Sequence, residues 1–212
     1  GYRRASLIDH VFTPHETLDA FYQSKFEELG DFVNQPYTVK TSKSRGDVIL
    51  SLAREGGIRV NGSRRPLRIE KKITLKPAES GLTVNYVVTN LGDRPASLRF
   101  GVETNWGVSG GDSSEGAYTV WPGGTLKRLN AISETAGAKE VAVVHEWVGR
   151  VVARASEAGT WWQFPIETVS NSEAGFERVY QGVSLVAHWP LELEPAGMWK
   201  LSLTFALVPA SD

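Results

Sequence analysis

The side chains with chemistry to offer fall in three stretches of this 212-residue chain. The longest is WWQFPIETVSNSEAGFERVYQG, Trp161 to Gly182, where adjacent tryptophans precede a run dense in Ser, Glu, Tyr and Gln. Two readings of it stay open. Ser170, Ser172 and Glu173 carry short hydroxyl and carboxylate groups that satisfy loop backbone N–H groups, and Gly175 takes a positive φ freely, so the run reads as a structural corner. Alternatively Trp161, Glu173, Glu177, Tyr180 and Gln181 form a saccharide-contacting surface, the aromatic face stacking on sugar C–H patches while carboxylate and amide groups bond to hydroxyls.

The second stretch is FGVETNWG, Phe100 to Gly107. In a strand Glu103 and Asn105 share a face about 7 Å apart. Either they meet solvent or they line a groove with Trp106 at its rim. The third is RRASLIDHVF, in which Asp9 and His10 are neighbours; on a strand their side chains point to opposite faces and cannot pair with each other. His10, His15, His145 and His188 are the only histidines, and no spacing among them matches a zinc motif. His145 shares a predicted face with Val141, Val143 and Trp147 and reads as a core or edge histidine. With no cysteine, thiolate catalysis, disulfides and thiolate-bound metals are excluded. A nucleophile elbow, a phosphate loop and a dinucleotide fingerprint are absent, so no cofactor and no metal are expected. Asp112 and Glu115 in GVSGGDSSEGA supply too few oxygens for calcium.

The elements that position these residues follow from period-two alternation, which recurs along most of the chain and marks strands burying one face. Leu67, Ile69, Ile73 and Leu75 alternate with Arg68, Glu70, Lys72 and Thr74; Leu82, Val84, Tyr86 and Val88 follow. Leu98, Phe100, Val102 and Trp106 point one way, and Arg99, Glu103 and Asn105 the other. Trp162, Phe164 and Ile166 oppose Trp161, Gln163 and Glu167, and Trp199 to Leu207 closes the series. Asn61-Gly62 is the sharpest hairpin signal. The single helical pattern runs from Thr17 to Leu29, with Leu18, Phe21, Tyr22, Phe26 and Leu29 at spacings of three and four, before Gly30. Strands without intervening helices predict an all-β fold, a large antiparallel two-sheet β-sandwich with one short helix. Residues 1–212 read as one domain.

The chain holds 23 basic and 24 acidic residues, a formal net charge of -1. The pairs Arg3-Arg4, Arg64-Arg65 and Lys71-Lys72 are scattered and read as solvated strand and turn positions, so no nucleic-acid partner is expected. No apolar run approaches the ~20 residues of a membrane span, so no membrane partner is expected, and a cytoplasmic location follows. The only methionine is Met198, and a chain opening Gly1-Tyr2 reads as a domain excised from something longer.

Taken together, RRASLIDHVF, FGVETNW and PIETVSNSEAGFERVYQG resemble the C-terminal β-sandwich domain of the α-amylases and 4-α-glucanotransferases of glycoside hydrolase family 57. The resemblance runs from Arg4 to the last strand. It implies a galactose mutarotase-like superfold and an upstream (β/α)7 barrel that carries the nucleophilic glutamate and the acid/base aspartate, neither of which is in this chain. It also implies that Arg4, Ser6, Asp9, His10, Glu103, Asn105, Glu167, Ser170, Ser172, Glu173, Gly175, Glu177, Tyr180 and Gln181 are structural or line the interface with that barrel. The expected function is that of an accessory domain, with no catalytic residue of its own, that buttresses the barrel; contact with α-glucan is left open. The alternative is a free-standing mutarotase-like epimerase, which needs a histidine and a glutamate converging on one sugar, from His10, His145 or His188 with Glu103 or Glu177.

Overall fold

The alternating pattern becomes a long antiparallel ribbon that folds back over itself. In the computed structural model, which describes residues 5–60, 62–111, 116–172 and 175–209, the strands are β1 (Ile8–Phe12), β2 (Thr38–Ser44), β3 (Asp47–Val60), β4 (Ser63–Leu75), β5 (Gly81–Asn90), β6 (Ala96–Trp106), β7 (Ala117–Trp121), β8 (Thr125–Arg128), β9 (Ser133–His145), β10 (Gly149–Ser172), β11 (Gly175–Leu193) and β12 (Met198–Val208). Neighbours run in the order β1-β6-β11-β10-β12-β5-β4-β3-β2, with β7, β8 and β9 paired beside β10. Every named pairing is antiparallel.

Two layers arise because β10 serves both. Its first part, Arg150–Ala155, pairs with β12, and its later part, Thr160–Ser172, pairs with β11. Between them the register against β9 shifts at Gly159. A Cβ there would lie 2.6 Å from the Trp189 indole nitrogen, so glycine is required where the strand turns from one layer into the other. Tyr86 of β5 and Phe100 of β6 lie four places apart along the ribbon, yet their rings meet at 5.6 Å. That contact belongs to the main core, which fills the space between layers with Val84, Val88, Leu98, Val102, Leu185 and Leu203. A two-layer β-sandwich is the result.

The hairpins follow their turn residues. Val60 pairs with Ser63 across positions 61 and 62, and Gly62 takes φ +76°, in keeping with a tight primed turn; Asn61 lies outside the described residues. Arg45-Gly46, both at positive φ, makes the β2–β3 hairpin in the same way.

The helix is shorter than its periodicity predicts. α1 spans Leu18–Tyr22, with the Thr17 hydroxyl accepting from the Ala20 N–H as N-cap. Ser24 at φ +56° ends it, and the chain then runs back along β1: the Leu29 N–H donates to the Val11 carbonyl at 2.8 Å, and Phe12 bridges Glu28. Phe26 is therefore placed by an irregular turn, with its ring stacked 4.3 Å from Phe21. The helix covers a sheet face rather than an edge. Phe21, with Leu18, Tyr22 and Phe26 around it, closes over Phe12, Trp162, Phe164 and Val186 to make a second, smaller apolar cluster on the outer side of the β1-β6-β11-β10 layer. Full burial of a side chain such as Phe21 contributes roughly 1.5–3 kcal/mol. Among the described residues no helix is long and apolar enough to cross a membrane.

Candidate functional site

β1 lies against β6 with His10 opposite Gly101 and Ile8 opposite Glu103, so His10 and Glu103 share the outer face of this layer. The return segment after α1 brings Glu28 to the other side of the imidazole. His10 Nε2 lies 2.9 Å from Glu103 Oε2, and Nδ1 lies 2.8 Å from Glu28 Oε2. Both carboxylates are anchored further: Glu28 Oε1 accepts from the Val11 N–H at 2.6 Å, and Glu103 Oε1 accepts from Asn105 Nδ2 at 2.7 Å. His10 and Glu103 are fully buried beneath Phe21 and Phe26, whose rings stand 5.1 and 5.8 Å from the imidazole. Burial disfavours the imidazolium, but the hydrogen bonds and charges of Glu103 and Glu28 outweigh it and lift the pKa of His10 to about 9. The group is thus a charged histidine clamped between two carboxylates.

Asp9 points the opposite way, into the space between layers. Its Oδ2 accepts from Lys71 Nζ at 2.8 Å and from the Tyr37 hydroxyl at 2.6 Å, while Lys71 also donates to the Leu7 carbonyl at 2.7 Å. The Lys71 ammonium sits 4.8 Å from the Tyr37 ring centre. Burial, then the Asp9 carboxylate, holds both the Tyr37 and the Tyr86 phenol well above the ordinary tyrosine range. Lys71 is buried, which corrects its reading as a solvated position. The signal was present in the sequence: in Leu67, Ile69, Lys71, Ile73, Leu75 the lysine occupies the inward position of an otherwise apolar file. Here β1 of one layer is tied to β4 of the other.

His188 lies on the outer face as well, opposite Gly101 on β6, with its ring 4.3 Å from that of Trp162. Burial, with the nearby Arg99 guanidinium, pushes its pKa down to about 3, and it is neutral. His145 ends β9, half-buried, with Nε2 3.4 Å from Ser109 Oγ; Trp147 beyond it is 83 % exposed rather than sharing a core face. Glu177 is exposed on β11 and pairs in register with Ser170. Of the combinations considered for acid–base chemistry, only His10 with Glu103 comes within hydrogen-bond distance among the described residues, and both side chains are fully buried.

Of the residues in the alternative, saccharide-contacting reading, Trp161 is withdrawn from solvent. Trp161 faces the main core, 3 % exposed, with its indole N–H donating to the Ala138 carbonyl at 3.0 Å. Trp162 and Phe164 are core as expected, but of the smaller cluster under α1. Tyr180 is half-buried, its ring filling the place a Cβ on Gly111 would need, 2.4 Å away. Gln181 is exposed beside the register shift at Ile166/Glu167 and donates to Thr168 Oγ1 at 3.2 Å. Ser170 and Gly175 are exposed, Gly175 at φ +112°. Glu173, Arg4, Asp112 and Glu115 lie outside the described residues, as does the side chain of Ser172. No group of acidic and histidine side chains able to hold a metal occurs among the described residues.

Glu103 and Asn105 share a face as predicted, but Glu103 is sealed and Trp106 lies on the opposite side. The Trp106 indole N–H donates to Thr104 Oγ1 at 3.0 Å, and the ring helps line an apolar cleft of about 270 Å³ with Leu7, Leu82 and Phe205. Asn105 instead clasps the incoming chain. Ser6 Oγ donates to the Asn105 carbonyl at 3.1 Å and accepts from its N–H at 3.2 Å, and Asn105 Nδ2 donates to the Ala5 carbonyl at 2.6 Å. A further polar group, absent from the expectations, joins α1 to the β10–β11 hairpin. There the Tyr22 hydroxyl donates to Glu167 Oε2 at 3.0 Å, and Arg178 Nη1 lies 3.2 Å from the same oxygen. Tyr22 was read only as a helix-face apolar residue, and nothing in its spacing points to the hydroxyl contact.

Comparison with known proteins agrees with this architecture. The chain is 36% identical over 192 residues to a 4-alpha-glucanotransferase of Thermococcus litoralis, covering 90% of this chain and 25% of that protein. It is 30% identical over 201 residues to an alpha-amylase of Pyrococcus furiosus, covering 94% and 25%. It thus spans about a quarter of the length of these relatives. The crystal structure of 4-alpha-glucanotransferase from Thermococcus litoralis superposes with a TM-score of 0.74 at 33% identity, over 98% of this chain and 28% of that one. A putative aldose 1-epimerase of Escherichia coli K12 superposes with a TM-score of 0.62 at 13% identity, over 98% and 81%, which places the fold among mutarotase-like sandwiches and carries nothing more. Residues 1–203 match the family described as alpha-amylase/4-alpha-glucanotransferase, C-terminal. The chain belongs to that C-terminal domain family.

Proposed function

We propose that this chain is a non-catalytic C-terminal domain of an α-glucan-processing enzyme of the α-amylase or 4-α-glucanotransferase kind, bracing a catalytic barrel that precedes it in a cytoplasmic parent protein. The observation that carries the reading is the sealing of the His10–Glu103 pair. His10 and Glu103 are fully buried, and His10 bonds carboxylates through both ring nitrogens. An epimerase must bring such a pair against the anomeric O–H and the ring oxygen of a sugar, so that one group takes the hydroxyl proton while the other protonates the ring oxygen as the C1–O bond breaks. Here the same atoms hold the β1–β6 edge and the return segment together. Family membership and the quarter-length match to relatives with these activities support the assignment of the parent.

Two measurements test it. Polarimetry of freshly dissolved α-D-glucose with this chain should follow the uncatalysed rate, and acceleration abolished by Glu103→Gln would overturn the reading. In the full-length parent, deletion of this domain should remove activity or heat resistance; a truncated barrel with unchanged glucan turnover and unchanged thermal inactivation would also sink it.

A further inference from the structure

We propose that the apolar cleft beside Leu7 and Trp106 is the seat of an apolar segment from the part of the parent chain that precedes this domain, which rests on the accessory-domain reading and gives it a surface. The cleft encloses about 270 Å³. It lies where the sandwich is left unclosed. On the inner face of one layer the row Leu50, Ile73, Val84 and Leu203 crosses β3, β4, β5 and β12 in register, and its Val84 and Leu203 are buried. One strand period toward the end of the sandwich the next row is Val48, Leu75, Leu82 and Phe205, and none of these is buried. The opposite layer meets this row with Leu7 and with Trp106, whose ring stands 6.0 Å from that of Phe205. Leu75 is left 41 % exposed and Leu207 40 %.

The lining selects an apolar occupant. Among the described residues no charged side chain lines the cleft, and its two hydroxyls are already engaged, Ser6 Oγ with the Asn105 backbone and Thr104 Oγ1 with the Leu185 carbonyl and the Trp106 indole N–H. An ion or a hydroxylated ligand would lose its water there without gaining a partner. The position selects which apolar group. The chain enters the domain along the rim: Ser6 and Leu7 themselves line the cleft, Asn105 Nδ2 holds the Ala5 carbonyl at 2.6 Å, and Lys71 Nζ holds the Leu7 carbonyl at 2.7 Å. Leu7 takes φ +62°, a left-handed backbone uncommon for leucine, so these bonds pin the entering strand in a bend at the edge of the cleft. This chain covers 25% of the glucanotransferase and amylase relatives and matches a family described as C-terminal, so in the proposed parent most of the residues arrive through that point. An apolar segment among them reaches the cleft as a tethered ligand, at the high local concentration that a short connection gives.

The test is carbene footprinting, read by mass spectrometry, of this chain alone and of the full-length parent. Leu75, Leu82 and Leu207 should label readily in this chain alone, and in the parent their labelling should fall to the level of the buried Val84 and Leu203. Leu75→Lys supplies a second readout. The side chain is exposed here, so this chain should keep its thermal midpoint, whereas in the parent an ammonium set against the seated segment should speed thermal inactivation about tenfold. Cleft residues labelled equally in the two proteins, or a Leu75→Lys parent inactivated no faster than wild type, overturns the seat. Labelling that falls in this chain alone as its concentration is raised assigns the cleft to a second copy and overturns it too. Protection confined to another face of the domain defeats this surface and leaves the accessory-domain reading standing, since that reading is judged by truncation of the parent.

Discussion

Raising the pH should unlatch the His10 clamp. The imidazole is fully buried and bonded at 2.8 and 2.9 Å to Glu28 and Glu103, and its pKa stands at about 9 against an ordinary 6.5. A folded-state pKa above the unfolded one means that the folded state binds the proton more tightly. The stabilisation is therefore complete below pH 6.5, is lost progressively as the pH rises, and is gone above about pH 9. At 1.36 kcal/mol per unit this amounts to about 3 kcal/mol, a large share of a typical domain's stability. Urea unfolding of wild type and His10→Gln at pH 6 and pH 9.5 isolates it, because the two proteins differ only at that side chain. Wild type should lose about 3 kcal/mol more than the variant over that interval, and imidazole ¹⁵N shifts should show His10 doubly protonated at pH 7.5. Equal losses in the two proteins, or a neutral ring at pH 7.5, would refute the charged clamp.

Three further outcomes follow from the packing. Lys71→Met removes the cationic partner of the Asp9 carboxylate between the layers, leaving the Tyr37 hydroxyl bond, and should cost about 3–5 kcal/mol in urea unfolding, much of it recovered in the Asp9→Asn/Lys71→Met double variant. Gly101→Ala places a methyl 2.8 Å from the Phe12 ring and should lower the thermal midpoint by an amount equivalent to about 1–3 kcal/mol. Trp161→Ala opens a cavity in the main core and should cost about 3–5 kcal/mol in urea unfolding.

Strand positions were legible because period-two alternation survives wherever one face is buried, and Leu98, Phe100 and Val102 point into the core as their pattern predicts. The helix was over-extended because Phe26 and Leu29 keep helical spacing while serving a different purpose: Ser24 turns the chain, and Leu29 bonds to β1. The environment of Trp161 was not legible because both faces of β10 are buried, one by the opposite layer and one by α1, and alternation then carries no information about which aromatic meets water. Residues meeting only through tertiary structure, such as His10 with Glu28 and Glu103 or Tyr22 with Glu167, left no local trace. Lys71 was the exception, announced by a charge in an apolar file.

The twenty-four residues of β10 run through both layers without a break in secondary structure. A protein assembled from separable leaves has a seam along which it opens; here the backbone itself stitches that seam shut. Amide protons at Val151–Ala155 and at Trp161–Phe164 should therefore exchange in a single cooperative event, at the rate of whole-molecule opening. A domain built in this way transmits a load from one end to the other instead of yielding in the middle, which is the property the proposed bracing role calls for.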